Sequence, residues 1–266
     1  MVSALRQPVR VIAHRGSNED EPEHTLAAYR RAIAEGADAV ECDVRLTADG
    51  TLVCVHDRRV DRTSTGRGAV SGLHLDHLRT FDFSAGETGW RRHRDHSLDH
   101  TRRSVLTLRE LLTDVLQASD RVGFAIETKH PTRYGAHVEL ALQDLLAEFD
   151  LLDRPERVQV MSFSWLAVRR FRQLFPELPR VFLVERLLPG LREGRVPDGA
   201  DVVGVSIDAL RRDGGYAERV QQRGAQMQVW TVDDPADARW VVDLGARAVI
   251  SNRPAATRRA IHGGAG

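Results

Sequence analysis

The sequence predicts an α/β fold, a closed (β/α)8 TIM barrel with an antiparallel hairpin extension and a short insertion, and three observations carry that prediction. Short runs rich in Val and Ile alternate with amphipathic stretches long enough for helices. The alternation continues to the end of the chain, with no Pro-, Ser- or Gly-rich linker to divide it. An open doubly wound sheet has the same alternation, but none of the expected strands is followed by either common glycine-rich phosphate loop. At 266 residues the chain exceeds an ordinary domain of about 100 to 200 residues, yet barrels reach this size as one unit. The whole of 1–266 is therefore expected to be a single barrel domain, with a polar insertion at about 83–104.

Strands are expected at 9–13, 39–46, 51–55, 121–127, 157–162, 180–184, 201–206, 226–231 and 248–251. Helices are expected near 25–35, 107–118, 136–149, 164–175, 214–223 and 234–244. Thr25 is placed to cap the first helix, and Thr107 with Glu110 has the spacing of a capping box. Gly36, Gly224 and Gly245 each follow a helix end, where a left-handed residue is favoured. The run RRFR at 169–172 reads as the exposed side of a helix around Phe171, and the terminal HGGAG as a frayed tail.

Hydrophobic residues make up 42% of the chain and charged residues 29%, an ordinary balance for a globular protein with a sizeable core. Lys plus Arg and Asp plus Glu are both 38, so no net positive field argues for nucleic acid or an anionic membrane surface. A small-molecule partner follows. No apolar run approaches the roughly 18 residues needed to span a bilayer, and the first residues lack the apolar stretch of a secretory signal, which leaves a cytoplasmic location as the default.

Asp49-Gly50 lies between two strand-like runs and predicts a two-residue type I′ hairpin turn. With that turn central, facing residues have numbers summing to 99, so Asp43 opposes His56 and Val44 opposes Val55. Glu41, Asp43 and His56 then share one face, and Cys42, Val44, Leu46, Val53 and Val55 the other. The same register sends the only two cysteines, Cys42 and Cys54, to opposite faces, a poor geometry for a disulfide and a reason to expect reduced thiols. Strand 51–55 becomes an antiparallel appendage, which leaves about eight strands for the barrel. Two carboxylates and an imidazole held this close call for a bound cation, or else for a solvated edge with the carboxylates paired to Arg45 and Arg58.

Other groups fall at strand ends that one barrel rim would bring together: His14 and Arg15 after the first strand, and Glu127 with Lys129 after the fourth. Taken alone, each has a bland reading, a structural His and a Glu–Lys surface pair. Together with the hairpin they form a set. The chain resembles the glycerophosphodiester phosphodiesterase family in HRG at 14–16, PEHTLAAY at 22–29, GADAVECDVRLTADGTLVCVHD at 36–57, IETK at 126–129, SF at 162–163, VWTVDD at 229–234 and ISNRP at 250–254.

The resemblance implies a (β/α) barrel with metal ligands on Glu41, Asp43 and Glu127 and catalytic histidines on His14 and His56. It implies phosphate contacts at Arg15 and Lys129, and a substrate-packing aromatic at Trp230. Three carboxylates without sulfur suit one hard divalent cation, Mg²⁺ or Ca²⁺. The implied reaction is hydrolysis of a glycerophosphodiester, such as glycerophosphocholine or glycerophosphoethanolamine, to sn-glycerol 3-phosphate and an alcohol. The alternatives are a lysophospholipase D and a non-catalytic phosphodiester-binding barrel. Where the family usually reads Pro-Glu-Asn-Thr this chain has His24, so contacts near Glu23 are expected to differ. In the 83–104 insertion, His93, His96 and His100 have helical spacing that suits a metal, but the surrounding arginines argue instead for a solvated cover over the barrel mouth, anchored by Trp90.

Overall fold

The computed structural model describes residues 8–84 and 99–263. Its strands are β1 (Arg10–Ala13), β2 (Ala39–Leu46), β3 (Leu52–Cys54), β4 (Gly123–Thr128) and β5 (Val158–Ser162), then β6 (Arg180–Val184), β7 (Val202–Ser206), β8 (Gln226–Trp230) and β9 (Ala248–Ser251). All but β3 pair in parallel, from β1 through β2, β4, β5, β6, β7 and β8 to β9, and β9 returns to β1. The result is a closed eight-stranded barrel, wrapped by helices, in which no barrel strand is left as an open edge. Strand β1 covers β2 only at Ala39 and Val40, and beyond that point β3 lies antiparallel along β2 at Val44 to Leu46. The extra strand is thus outside the ring, as the strand count required.

Alternation along each barrel strand separates two cores. Inside the barrel, Ile12, Ala39, Ala125, Met161, Val181, Leu183 and Ile250 pack together. Outside it, Val40, Cys42, Val44, Phe124, Ile126, Val160 and Val205 pack against the helical layer. Thr25 caps the helix Leu26–Ala34, and both halves of the Thr107–Glu110 capping box form at the start of Leu108–Ala118. In the RRFR helix, Trp165–Leu174, Phe171 is buried and Arg169 and Arg172 are exposed, as expected.

Helices at Leu75–Leu78, His100–Arg103, Pro189–Arg192, Ile207–Arg212 and Pro254–His262 were outside the sequence expectation. Two open on proline, and Ser206 both ends β7 and caps Ile207–Arg212, so no loop marks that boundary. Among the described residues, no helix is long and apolar enough to cross a membrane. Trp90, His93 and His96 lie outside the described residues, as do 264–266 of the terminal tail. The ends of the insertion are joined by a Phe83 N–H to Arg103 carbonyl bond of 2.8 Å. Arg102 makes two hydrogen bonds to Glu21, at 2.7 and 2.9 Å.

The hairpin register differs from the expected one by a residue. Val44 faces Cys54, Arg45 faces Val53 and Leu46 faces Leu52, pairs that sum to 98. A type I′ turn needs positive φ at both central residues, but of Asp49 and Gly50 only the glycine has it, at +82°. The Asp49 carboxylate instead accepts from the Thr47 hydroxyl at 2.6 Å and the Leu75 N–H at 3.1 Å. The Thr47 N–H closes a three-residue loop onto the Thr51 carbonyl at 3.0 Å. In consequence Cys42 and Cys54 share a face and a core, as free, buried thiols, while Val53 and Val55 belong to a separate cluster with Val60, Leu78 and Phe83.

Two glycines with similar φ angles separate backbone strain from packing. Gly16 (φ +86°) lies where an added Cβ would sit 2.7 Å from both the carbonyl carbon and Cβ of Ala28, whereas Gly50 faces open space. Gly16→Ala is expected to lose about 2 to 5 kcal/mol and Gly50→Ala about 1 to 2 kcal/mol, read from urea unfolding midpoints. Equal losses would contradict the close approach at Gly16.

Candidate functional site

Inward-facing positions of β2 and β4 build the centre of the site. Glu41 and Asp43 follow Ala39 on the inner face of β2, Glu127 follows Ala125 on that of β4, and Lys129 continues the alternation one residue past the end of β4. Asp43 pairs in register with Glu127. One carboxylate oxygen from each of Glu41, Asp43 and Glu127 lies within 4.8 Å of the others, and all three residues are buried. The Lys129 ammonium sits 2.9 Å from Asp43 Oδ1 and 2.8 Å from Glu127 Oε1. The Arg15 N–H donates to Glu41 Oε2 at 2.9 Å, and Arg15 Nε lies 3.1 Å from Asp43 Oδ2.

Three carboxylates therefore face two cations. Burial, then the charge of Asp43, pushes Glu41 well above the usual carboxylate range and Glu127 up to about 8. Burial alone would raise Asp43 too, but Lys129, the His24 hydrogen bond and Arg15 hold it well below its ordinary value. With all three ionised, the cluster would carry more negative charge than Arg15 and Lys129 neutralise, so a bound cation would take the place of the protons that Glu41 and Glu127 otherwise keep. The donors of the cluster are all oxygen. These residues fit one hard divalent cation. The expected alternative pairings are not seen among the described residues: the Arg45 guanidinium bonds the His56 carbonyl instead, at 3.0 and 2.8 Å, and Arg58 is exposed and makes no ion pair with the three carboxylates.

His14 leaves the top of β1 with its tautomer set by a relay. Asp233 accepts from the Asn252 side-chain amide at 2.7 Å, which turns Asn252 Oδ1 toward His14 Nδ1, also at 2.7 Å. Nδ1 thus donates and Nε2 keeps its lone pair. Burial, then the Arg15 charge, pushes His14 down to about 3. His56 lies on the chain leaving β3, so it reaches the cavity through that exit rather than through pairing with Asp43, whose carbonyl accepts from the Val55 N–H. Its Nδ1 lies 2.7 Å from Asp57 Oδ1, and burial pushes it down to about 4.

A cavity of about 460 Å³ at the C-terminal ends of the strands is bordered by His14, Arg15, Glu41, His56, Glu127, Lys129 and Trp230, with Asp43 buried behind them. Trp230 is fixed by its indole N–H to the Gly204 carbonyl at 2.8 Å, and its ring meets Phe163 edge to face at 5.4 Å. All eight residues singled out in the sequence converge. Sequence reasoning assigned no role to Asn252, Asp233, Asp57 or Arg62; the first three lie in the quoted ISNRP, VWTVDD and VHD segments, directly after strands, which was the available signal. Among the described residues, the three carboxylates form the one group of this kind close enough to hold a metal.

A family model described as the glycerophosphoryl diester phosphodiesterase family matches residues 14–256. The chain is 42% identical over 253 residues to a probable glycerophosphodiester phosphodiesterase 1 of Mycobacterium tuberculosis, covering 93% of this chain and 90% of that protein. It is 29% identical to a glycerophosphodiester phosphodiesterase of Bacillus subtilis, over 94% and 86% of the two chains. Among solved structures, an Oleispira antarctica phosphodiesterase in complex with the product sn-glycerol-3-phosphate superposes with a TM-score of 0.80, at 25% identity over 95% of this chain and 96% of that one.

The shifted groups predict a pH dependence of stability in EDTA. His14 and His56 are depressed from 6.5 to about 3 and about 4, so they add stability as pH rises to about 6.5 and nothing above it. Glu127 is raised from 4.5 to about 8, so the native state keeps a proton that the unfolded chain has lost, and stability falls as pH rises across that interval. From about pH 6.5 to 8 only the carboxylate effect remains among these groups. The thermal midpoint in EDTA is expected to fall over that window, and saturating Mg²⁺ or Ca²⁺ to remove the fall. A flat or rising profile in EDTA would contradict the charge balance.

Proposed function

The chain belongs to the glycerophosphoryl diester phosphodiesterase family and is a phosphoric diester hydrolase, and from that premise we propose its substrates, its cofactor and the residues that act. The substrates are glycerophosphodiesters such as glycerophosphocholine or glycerophosphoethanolamine, cleaved to sn-glycerol 3-phosphate and an alcohol. One Mg²⁺ or Ca²⁺ is held by Glu41, Asp43 and Glu127. The observation that carries this reading is the convergence of three buried carboxylates, two histidines and two cationic side chains around one cavity, from segments far apart in the chain.

A phosphodiester repels nucleophiles and has a poor leaving group, so catalysis needs charge stabilisation and proton transfer. When bound, the cation stabilises negative charge growing on the phosphate oxygens. Arg15 and Lys129, both beside Asp43, add donors on the same side of the cavity. The two imidazoles divide the proton work: one accepts a proton from the nucleophile and the other protonates the departing alcohol, each contributing about 10² to 10⁴ in rate. Burial depresses both imidazoles, and each has its Nδ1 bonded to a fixed partner, which leaves Nε2 for transfer: a free lone pair on the base, and on the acid a proton that the negative charge of a bound phosphodiester favours. Trp230, backed by Phe163, packs against the glycerol part. The reading takes 1–266 as one barrel domain in a cytoplasmic setting, with both cysteines free.

Release of glycerol 3-phosphate in a coupled assay is expected to stop in EDTA and return with Mg²⁺ or Ca²⁺. Glu41→Gln is expected to weaken cation binding and activity together. His56→Ala is expected to lower turnover by about 10² or more while cation affinity stays near wild type. Near-normal turnover in His56→Ala, or full activity in EDTA, would overturn the assignment.

A further inference from the structure

His24 is where this chain departs from the Pro-Glu-Asn-Thr pattern, and it is built into the carboxylate cluster. The residue is 5% exposed and has φ +59°, a left-handed backbone that few residues other than glycine adopt, Asn and His among them. Both ring nitrogens are engaged. Nε2 lies 2.9 Å from Asp43 Oδ2, and Nδ1 lies 2.7 Å from the Tyr29 hydroxyl. That hydroxyl, on a fully buried tyrosine, lies 3.2 Å from the Glu41 carbonyl oxygen. One buried His–Tyr unit therefore reaches Asp43 through its carboxylate and Glu41 through its backbone.

A carboxylate has no hydrogen to give, so His24 Nε2–H is the donor to Asp43. Oδ2 is engaged by that bond and faces Arg15 Nε at 3.1 Å, whereas Oδ1 faces Lys129 and the Glu127 side. We infer that His24, backed by Tyr29, is a positioning residue for cation binding: it fixes the rotation of Asp43 so that Oδ1 is the oxygen presented to the cation. The inference rests on the cation reading of Glu41, Asp43 and Glu127 given above. Partners that orient ligating side chains are typically worth about 10- to 100-fold in metal affinity. A glutamine amide nitrogen has the reach of the His24 Nε2 and an N–H to donate, so His24→Gln keeps the function that His24→Ala removes.

The test is calorimetric titration of EDTA-stripped, dialysed protein with Mg²⁺ alone, with the thermal midpoint of each variant measured in parallel. His24→Ala is expected to raise the Mg²⁺ Kd by about 10- to 100-fold, and His24→Gln by no more than about threefold. Tyr29→Phe, which leaves Nδ1 unpartnered, is expected to fall between them. At saturating Mg²⁺ the kcat of His24→Ala should recover far more than its affinity does. Folded His24→Ala with wild-type affinity, or folded His24→Gln as impaired as His24→Ala, would overturn the inference. If His24→Ala does not fold, Tyr29→Phe decides: a raised Kd supports the inference and an unchanged one overturns it. Wild-type protein that takes up neither Mg²⁺ nor, in a second titration, Ca²⁺ would instead overturn the cation reading, and this inference with it; if only Ca²⁺ binds, the same variants are titrated with Ca²⁺.

Discussion

Mutual repulsion among three buried carboxylates is the constraint on which the rest of the site depends. One carboxylate oxygen of each of Glu41, Asp43 and Glu127 lies within 4.8 Å of the others, and strand register sets Asp43 directly beside Glu127. Such a cluster persists only with positive charge beside it. The protein supplies part of that charge itself. Arg15 comes from the rim of β1 and Lys129 is the residue just past the end of β4, so charge compensation and proposed phosphate binding use the same two side chains. Raised Glu41 and Glu127 supply the rest by keeping protons, and a divalent cation is suited to take the place of those protons.

Around this centre the polar groups are tied into chains. Arg15 donates to Glu23 at 3.2 Å, Arg62 bridges Glu23 at 2.7 Å and Asp57 at 2.5 Å, and Asp57 meets His56 at 2.7 Å. On the other side Asp233, Asn252 and His14 form a second relay. The two proposed catalytic imidazoles thus have different partners at Nδ1, a carboxylate for His56 and an amide for His14. A carboxylate stabilises an imidazolium and an amide does so far less, so the histidines are not chemically equivalent although they share a cavity.

Much of the fold and the centre of the site was legible because both obey period two. Alternation along 39–46 and 123–128 sets which residues face inward, and it put Glu41 with Asp43 and Glu127 with Lys129 without any knowledge of the neighbours. The hairpin register was not legible, because Asp-Gly fits two turns and the choice fell to the Thr47 and Leu75 contacts of Asp49. The expected clustering of His56 survived that error for a reason alternation could not give: β3 ends at Cys54, and the chain turns toward the cavity while Arg45 holds the His56 carbonyl. Asn252 and Asp233, and Arg62 in its bond to Glu23, act through contacts across 19 to 238 residues of sequence, where no local pattern signals a partner. The role of His24 was hidden for the same reason, since its ring reaches from the loop before the first helix to β2.

The most direct test of the carboxylate-centred account is an anomalous difference map from crystals soaked in Mn²⁺, collected at the manganese edge. The account predicts one strong peak about 2 Å from a carboxylate oxygen of each of Glu41, Asp43 and Glu127, with the Lys129 ammonium moved off its bridge between Asp43 and Glu127. No peak there at saturating Mn²⁺, with Lys129 still bridging the two carboxylates, would contradict it.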